Sequence, residues 1–205
     1  MMGSFIKLNS KKIGFAYVFS AVSFLLFTAV ILLVAYFKGY PPHGNLLAAI
    51  LLTDIIVAPA FIICIARLAW QYKKFKQEQL FQKPPFDKLE TIGFYKSFKN
   101  KETKWHFTDE IKEVIINGFK IHCNIIIERH TAVEFEVLDT SKQIDKHAYE
   151  RLEKLFAAYN GYFKIDTIAK KYTMQQTKEL TIEDIKKDLQ QFTMMLKEEG
   201  FEANH

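Results

Sequence analysis

Residues able to do chemistry cluster in two places along this chain of 205 amino acids. In the C-terminal half, His106, His122, Cys123 and His130 fall within 25 residues. Zinc would need such ligands to converge tetrahedrally on one point. His122 and Cys123 are neighbours in a strand-like run, so their side chains leave opposite faces and cannot share an ion. The spacings CxxC, HxxxH and HExxH are missing, so neither a metal nor another cofactor is expected. Glu134 and Glu136 alternate on one strand face, and strand pairing adds Glu113, His122 and Asn124 to it. A histidine beside carboxylates is the material of general acid–base chemistry. The plainer expectation is a solvated sheet face on which His122 and Glu113 form a cross-strand pair. No GxSxG, GxxxxGK[ST] or GxGxxG occurs, and the 8 glycines do not cluster as a phosphate cradle requires. No catalytic residue is therefore assigned.

The second place is Asp54, alone in the apolar stretch LLTDIIVAPAF. An ionised carboxylate deep in a bilayer costs at least ~2.5–3.5 kcal/mol, so it should face protein or be protonated. Ala49–Thr53 and Ala16–Ser20 supply small-xxx-small surfaces for close helix contact. Pro59 cannot donate to the carbonyl near Ile55 and should kink the helix. Asp54 is expected to be neutral and to make a membrane-embedded polar contact, with another helix of the chain or with a second copy. A proton- or ion-coupled site is the sharper alternative, but two helices with one acid make a poor polar pathway.

The elements that must hold these residues divide the chain in two. Residues 13–37 carry no charge and would form ~37 Å of helix, enough to cross a hydrocarbon core of roughly 30 Å. Residues 46–66 form a second apolar run with Asp54 as its only charge. A cleaved signal peptide has an apolar core of only ~7–15 residues, so an uncleaved span is expected. Two transmembrane helices are placed at about 13–37 and 46–70.

The net charge of +5 invites a nucleic-acid reading, but its distribution argues otherwise. Residues 1–82 hold eight bases against two acids, and residues 83–205 hold twenty against twenty-one. The basicity thus belongs to the membrane flanks, and no nucleic-acid partner is expected. Lys7, Lys11 and Lys12 precede the first span. Arg67, Lys73, Lys74 and Lys76 follow the second as a juxtamembrane basic group within reach of anionic lipid. Only Lys38 lies between the spans. The positive-inside rule puts both termini in the cytoplasm.

The run RLAWQYKKFKQEQLFQ should continue as helix until Pro84-Pro85 stops it. Residues 1–82 are read as tail, spans and juxtamembrane helix, and 83–205 as a cytoplasmic domain. Asn117-Gly118 between β-rich runs calls for a type I′ hairpin. Ile116 then opposes Phe119, Val114 opposes Ile121, and Lys112 opposes Cys123. The core face continues through Ile125 and Ile127. An odd-length loop such as Arg129–Thr131 brings Val133, Phe135 and Val137 onto the same face, with Glu134 and Glu136 facing out. Ile144, Ala148, Tyr149, Leu152, Leu155, Phe156 and Tyr159 follow a helical stripe that ends at Asn160-Gly161. Residues 162–174 read as one or two strands. Thr181 to Asp184 reads as a capping box, opening a helix that closes at Gly200-Phe201.

The fold class is a two-span α-helical hairpin followed by a small α+β domain with an antiparallel sheet. The element order is β-β-β-α-β-α, with helices on one face. Cys64 and Cys123 should not meet, in keeping with a reducing compartment. The expected location is a plasma membrane, specifically a bacterial inner membrane, crossed twice. The expected function is non-catalytic presentation of the domain for partner binding or sensing. The partners would be the bilayer and another membrane or cytoplasmic protein, or a second copy of the chain. Alternatives are a membrane-surface enzyme using the His122, Glu134 and Glu136 face, or a subunit of a transport or secretion complex.

Overall fold

The computed structural model describes residues 2–40, 43–127, 131–138, 146–164 and 167–202. The apolar runs form two helices long and apolar enough to cross a membrane. The first, α1, spans Met2–Phe37 and begins eleven residues before the apolar run does. The second is made of α2 (Gly44–Leu52), a π-helical turn (Thr53–Val57) and α3 (Ala58–Phe81). Pro59 explains the turn. It has no N–H for the carbonyl of Ile55, and its ring crowds that carbonyl. The helix responds by widening locally, and Ala58 N–H bonds back to the Thr53 carbonyl.

The chain forms two compact units. One is Met1–Tyr72 with Asn100–Asp109; the other is Lys73–Lys99 with Glu110–His205. In the second, a six-stranded sheet has the order β1-β2-β3-β4-β6-β5. Its strands are β1 (Tyr95–Lys99), β2 (Asp109–Ile116), β3 (Phe119–Ile127), β4 (Thr131–Val137), β5 (Gly161–Phe163) and β6 (Ile168–Thr173). The β2–β3 hairpin has the register derived above, and Asn117 and Gly118 both take positive φ as a type I′ turn requires. Ile125 pairs with Val133 and Cys123 with Phe135, so the apolar faces of β3 and β4 coincide.

The element order is β-β-β-β-α-β-β-α rather than β-β-β-α-β-α. The extra strands are β1, which follows a 3-10 turn over Phe86–Ile92, and a separate short β5. β1 reads YKSFK, too short and too basic to stand out as a strand. Helices α4 (Lys146–Ala158) and α5 (Ile182–Glu198) cover the apolar face. There Leu152, Phe156, Leu189 and Phe192 pack with Phe119, Ile121 and Phe135 in one cluster that also includes Leu80 of α3. Tyr149, expected in the helical stripe, is 42% exposed and stacks on Phe163. Ile144 and the Ala148 side chain lie outside the described residues, as do Arg129 and His130.

Helix α5 starts at the expected capping box. Thr181 Oγ accepts from Asp184 N–H at 3.2 Å, and Asp184 Oδ2 accepts from Thr181 N–H at 2.9 Å. It ends in a Schellman turn. Gly200 has positive φ, and Phe201 N–H bonds to the Leu196 carbonyl at 2.9 Å.

Candidate functional site: a buried ionic layer on the sheet

Strand alternation places Glu113, His122, Asn124, Glu134 and Glu136 on the sheet face opposite the apolar core. His122 has Glu113 as its partner on β2 and Glu136 on β4, and Asn124 faces Glu134. The structure thus gathers all five residues. It also overturns the expectation of a solvated face: all five are buried, with Glu134 only 1% and Glu136 only 3% exposed.

The covering groups come from the flanking strands, which the sequence patterning did not single out. Glu113 accepts hydrogen bonds from Tyr95 and, at 2.9 Å, from Ser97, both on β1. His122 Nε2 lies 2.9 Å from the same carboxylate. Glu136 is held by Lys99 of β1 and by Lys164, just past β5, at 2.6 Å. Lys164 also bonds Glu134 at 2.5 Å, and the Tyr162 hydroxyl donates to Glu134. The result is a continuous chain, Lys99–Glu136–Lys164–Glu134–Tyr162, beside a Tyr95–Glu113–His122 cluster.

The electrostatics follow from this wiring. Burial alone would raise Glu136, but the donors Lys164 and Lys99 outweigh it and hold the carboxyl well below the usual range. Burial pulls Lys164 down, yet the two glutamates outweigh that and raise it. Glu113 is likewise kept low, because three hydrogen-bond donors overcome its burial. For His122 burial is the largest effect and lowers the pKa, only partly offset by Glu113. At neutral pH Glu113 and Glu136 are therefore ionised and fully engaged, beside a neutral imidazole. Carboxylates locked by lysines are weak bases and cannot donate a proton. The one group left over is His122 Nδ1, buried without a hydrogen-bond partner among the described residues.

A second polar cluster lies on the apolar side and had no counterpart in the sequence reading. Lys170 is 1% exposed; its ammonium donates to Asp188 at 2.8 Å and to the Tyr159 carbonyl at 2.5 Å. It sits 5.3 to 5.7 Å from the ring centres of Phe192, Tyr159 and Tyr172. The pair Lys170-Lys171 within a strand was a usable signal, since alternation forces one of the two inward.

The other singled-out residues fall elsewhere. Asp54 is buried in the π-helical turn, and its Oδ2 has no partner among the described residues. The hydrogen bond toward α1 is made beside it: the Tyr17 hydroxyl donates to the Ile55 carbonyl at 2.7 Å. In the basic group that follows the second apolar run, Lys74 is drawn to Glu110 at 3.6 Å and Glu78 at 3.8 Å. Lys73 and Lys76 also make interactions, and Arg67 buries its Nε. Cys64 and Cys123 are free, and burial pushes the Cys123 thiol far up. Among the described residues no three His, Cys, Asp or Glu side chains gather as metal ligands would. Compared with protein-family models, with curated proteins and with solved structures, the chain gives no match.

Proposed function

We propose that this is a membrane-anchored, non-catalytic protein. In this reading α1 and the α2–α3 helix cross a plasma membrane as a hairpin with both termini in the cytoplasm. They hold the α+β domain at the inner surface to bind a partner protein. The observation that carries it is the apolar belt of α1. Leu26, Phe27, Val30 and Leu33 are all more than half exposed, a surface that water would not tolerate and lipid would. On the polar sheet face Glu113, Glu134 and Glu136, each engaged by lysine or tyrosine, favour binding over catalysis.

The test is extraction of cell membranes with alkaline carbonate, together with a reporter fused after His205 that fluoresces only in the cytoplasm. Retention in the membrane pellet with a bright reporter is expected. Release to the supernatant, or a dark reporter on a full-length fusion, refutes the anchoring or the topology.

One observation favours a second reading, catalysis at the membrane surface: the buried His122 Nδ1, unpartnered among the described residues. It is available to accept a proton, with Glu113 orienting the ring. Protection of His122 from diethyl pyrocarbonate by a small molecule would support this reading, and unprotected, sluggish modification would count against it.

A further inference from the structure

Between β1 and β2 the chain leaves the sheet domain, and Asn100–Asp109 join α1 in the first compact unit. Several ties fix this segment's backbone. Asn9 Oδ1 accepts from Thr108 N–H at 2.7 Å, and the Trp70 indole donates to the Thr108 carbonyl at 3.2 Å. Lys12 donates to the carbonyls of Asn100 and His106, the latter at 2.9 Å. Phe5 packs against both Trp70 and Phe107, with ring centres 5.2 Å apart in each pair. Held this way, the segment presents its side chains along α1.

What it presents is ordered by polarity. Among the described residues, Lys11, Lys12, Lys101 and Lys104 line a cavity of about 360 Å³ with Phe15 and one acid, Glu102, while Asp109 acts on Lys12 from outside that lining. An adjoining hollow of about 150 Å³ shares Lys12, Phe15 and Lys104 and runs on to Phe19 and Trp105. The Trp105 ring meets Phe15 and Phe19 edge-on at 5.0 and 5.5 Å, yet Trp105 is 68% exposed. From Lys11 to Phe19 is roughly 12 Å of helix rise. The sequence of ammonium groups, then aromatic rings, then bare apolar helix repeats the layering of a leaflet from phosphate to hydrocarbon. An exposed tryptophan is costly in water and favoured at that depth.

We propose that this cavity binds the phosphate headgroup of an anionic glycerophospholipid, with an acyl chain along Trp105 and Phe19. The proposal rests on the membrane anchoring above. Charge complementarity selects an anion, and lysine ammonium groups serve phosphate as point charges. The aromatic wall selects a lipid over a water-soluble phosphate ester, which would leave that wall wet.

The experiment uses the full-length protein in nanodiscs of phosphatidylcholine mixed with phosphatidylglycerol, one lipid at a time carrying brominated acyl chains. Tryptophan emission is read, and the difference from a Trp105→Phe protein assigns the Trp105 part. Brominated phosphatidylglycerol should quench Trp105 more strongly than brominated phosphatidylcholine at equal mole fraction. In K101Q/K104Q the preference should vanish, and phosphatidylglycerol affinity by native mass spectrometry should fall about 30-fold, at ~1 kcal/mol per lysine. K178Q/K197Q, with the same charge change on the sheet domain, should keep the preference. Its loss there would reveal bulk charge and overturn the site. Equal quenching by both lipids overturns the site while leaving the anchor intact. No quenching by either, with carbonate release of the protein, sinks the anchor itself. Displacement of phosphatidylglycerol by soluble glycerol phosphate would overturn the assignment to lipid.

Discussion

Two adjacent lysines in β6 meet opposite environments. Lys171 pairs across the strand with Glu134 on the polar face, whereas Lys170 lies opposite Phe135 on the apolar one. Burial lowers the Lys170 pKa, and Asp188 resists that shift. Removing only Asp188's charge leaves a buried ammonium with a backbone carbonyl and aromatic faces for company. Asp188→Asn should cost about 3 kcal/mol, the low end for breaking a buried pair because Asp188 is partly exposed. Lys170→Met combined with Asp188→Leu should recover most of it. Denaturant unfolding of the detergent-solubilised protein measures both, and a double variant as weak as the single one would refute the account.

His122 and Glu136 add a pH dependence of one sign. Both have lowered folded pKa values, so both contribute stability that is complete above their unfolded pKa and is lost as pH falls. The histidine's share should begin to fade below about 6.5, and the carboxylate's only below about 4.3. Melting temperature should therefore fall between pH 6.5 and 5 in the parent and stay flatter there in His122→Gln. A parent curve level through that window would contradict the burial of a neutral imidazole. Alternation along β3 and β4 was readable from sequence and named which residues share a face. It did not reveal whether that face is wet. The covering groups, Lys99 and Lys164, stand 37 and 28 residues from Glu136. Only the strand order brings them over it, and no local pattern encodes that order.

At the scale of elements, the strongest sequence signals were those with a backbone mechanism. Asn117-Gly118, the Thr181–Asp184 box and Gly200 each prescribe a local geometry, and each is found. The missed strand β1 has no such marker; its place at the sheet edge next to β2 is set by tertiary pairing. Pro59 is intermediate. It announced a defect near Ile55 but not its form, a π-helical turn whose freed carbonyl is taken by Tyr17. This makes a sharp double-mutant prediction. Tyr17→Phe should cost ~1 kcal/mol, the usual net loss when a hydrogen bond is removed. In a Pro59→Ala background the helix can satisfy Ile55 itself, and the same change should cost almost nothing. Thermal unfolding in detergent of the four proteins closes the cycle. Equal costs in both backgrounds would show that the Tyr17 bond is unrelated to the proline.

For the molecule as a whole, the division into two units carries its own prediction about where the chain can be cut. Sequence reading set the domain start at Pro84-Pro85, where the helix must stop. The second compact unit takes in residues from Lys73 onward, inside α3, and that helix's last turns contribute to the sheet domain's packing. Leu80 is 5% exposed within the apolar cluster, and Gln77 Nε2 donates to the Glu110 carbonyl at 3.2 Å. Burying a leucine stabilises by ~1.5–3 kcal/mol, a large share of a small domain's net stability. A fragment of residues 73–205 with Asn100–Asp109 replaced by a short polar turn should therefore be soluble and unfold cooperatively. The same fragment begun at residue 83 lacks Leu80 and the Gln77 contact, and its midpoint should lie lower by at least that leucine's share. Retaining the native Asn100–Asp109 should lower solubility, since Trp105 and Phe107 lose the α1 rings against which they pack. Circular dichroism melts and sedimentation of the three fragments decide the matter. Indistinguishable midpoints for the starts at 73 and 83 would mean that the end of α3 is a connector and no part of the fold.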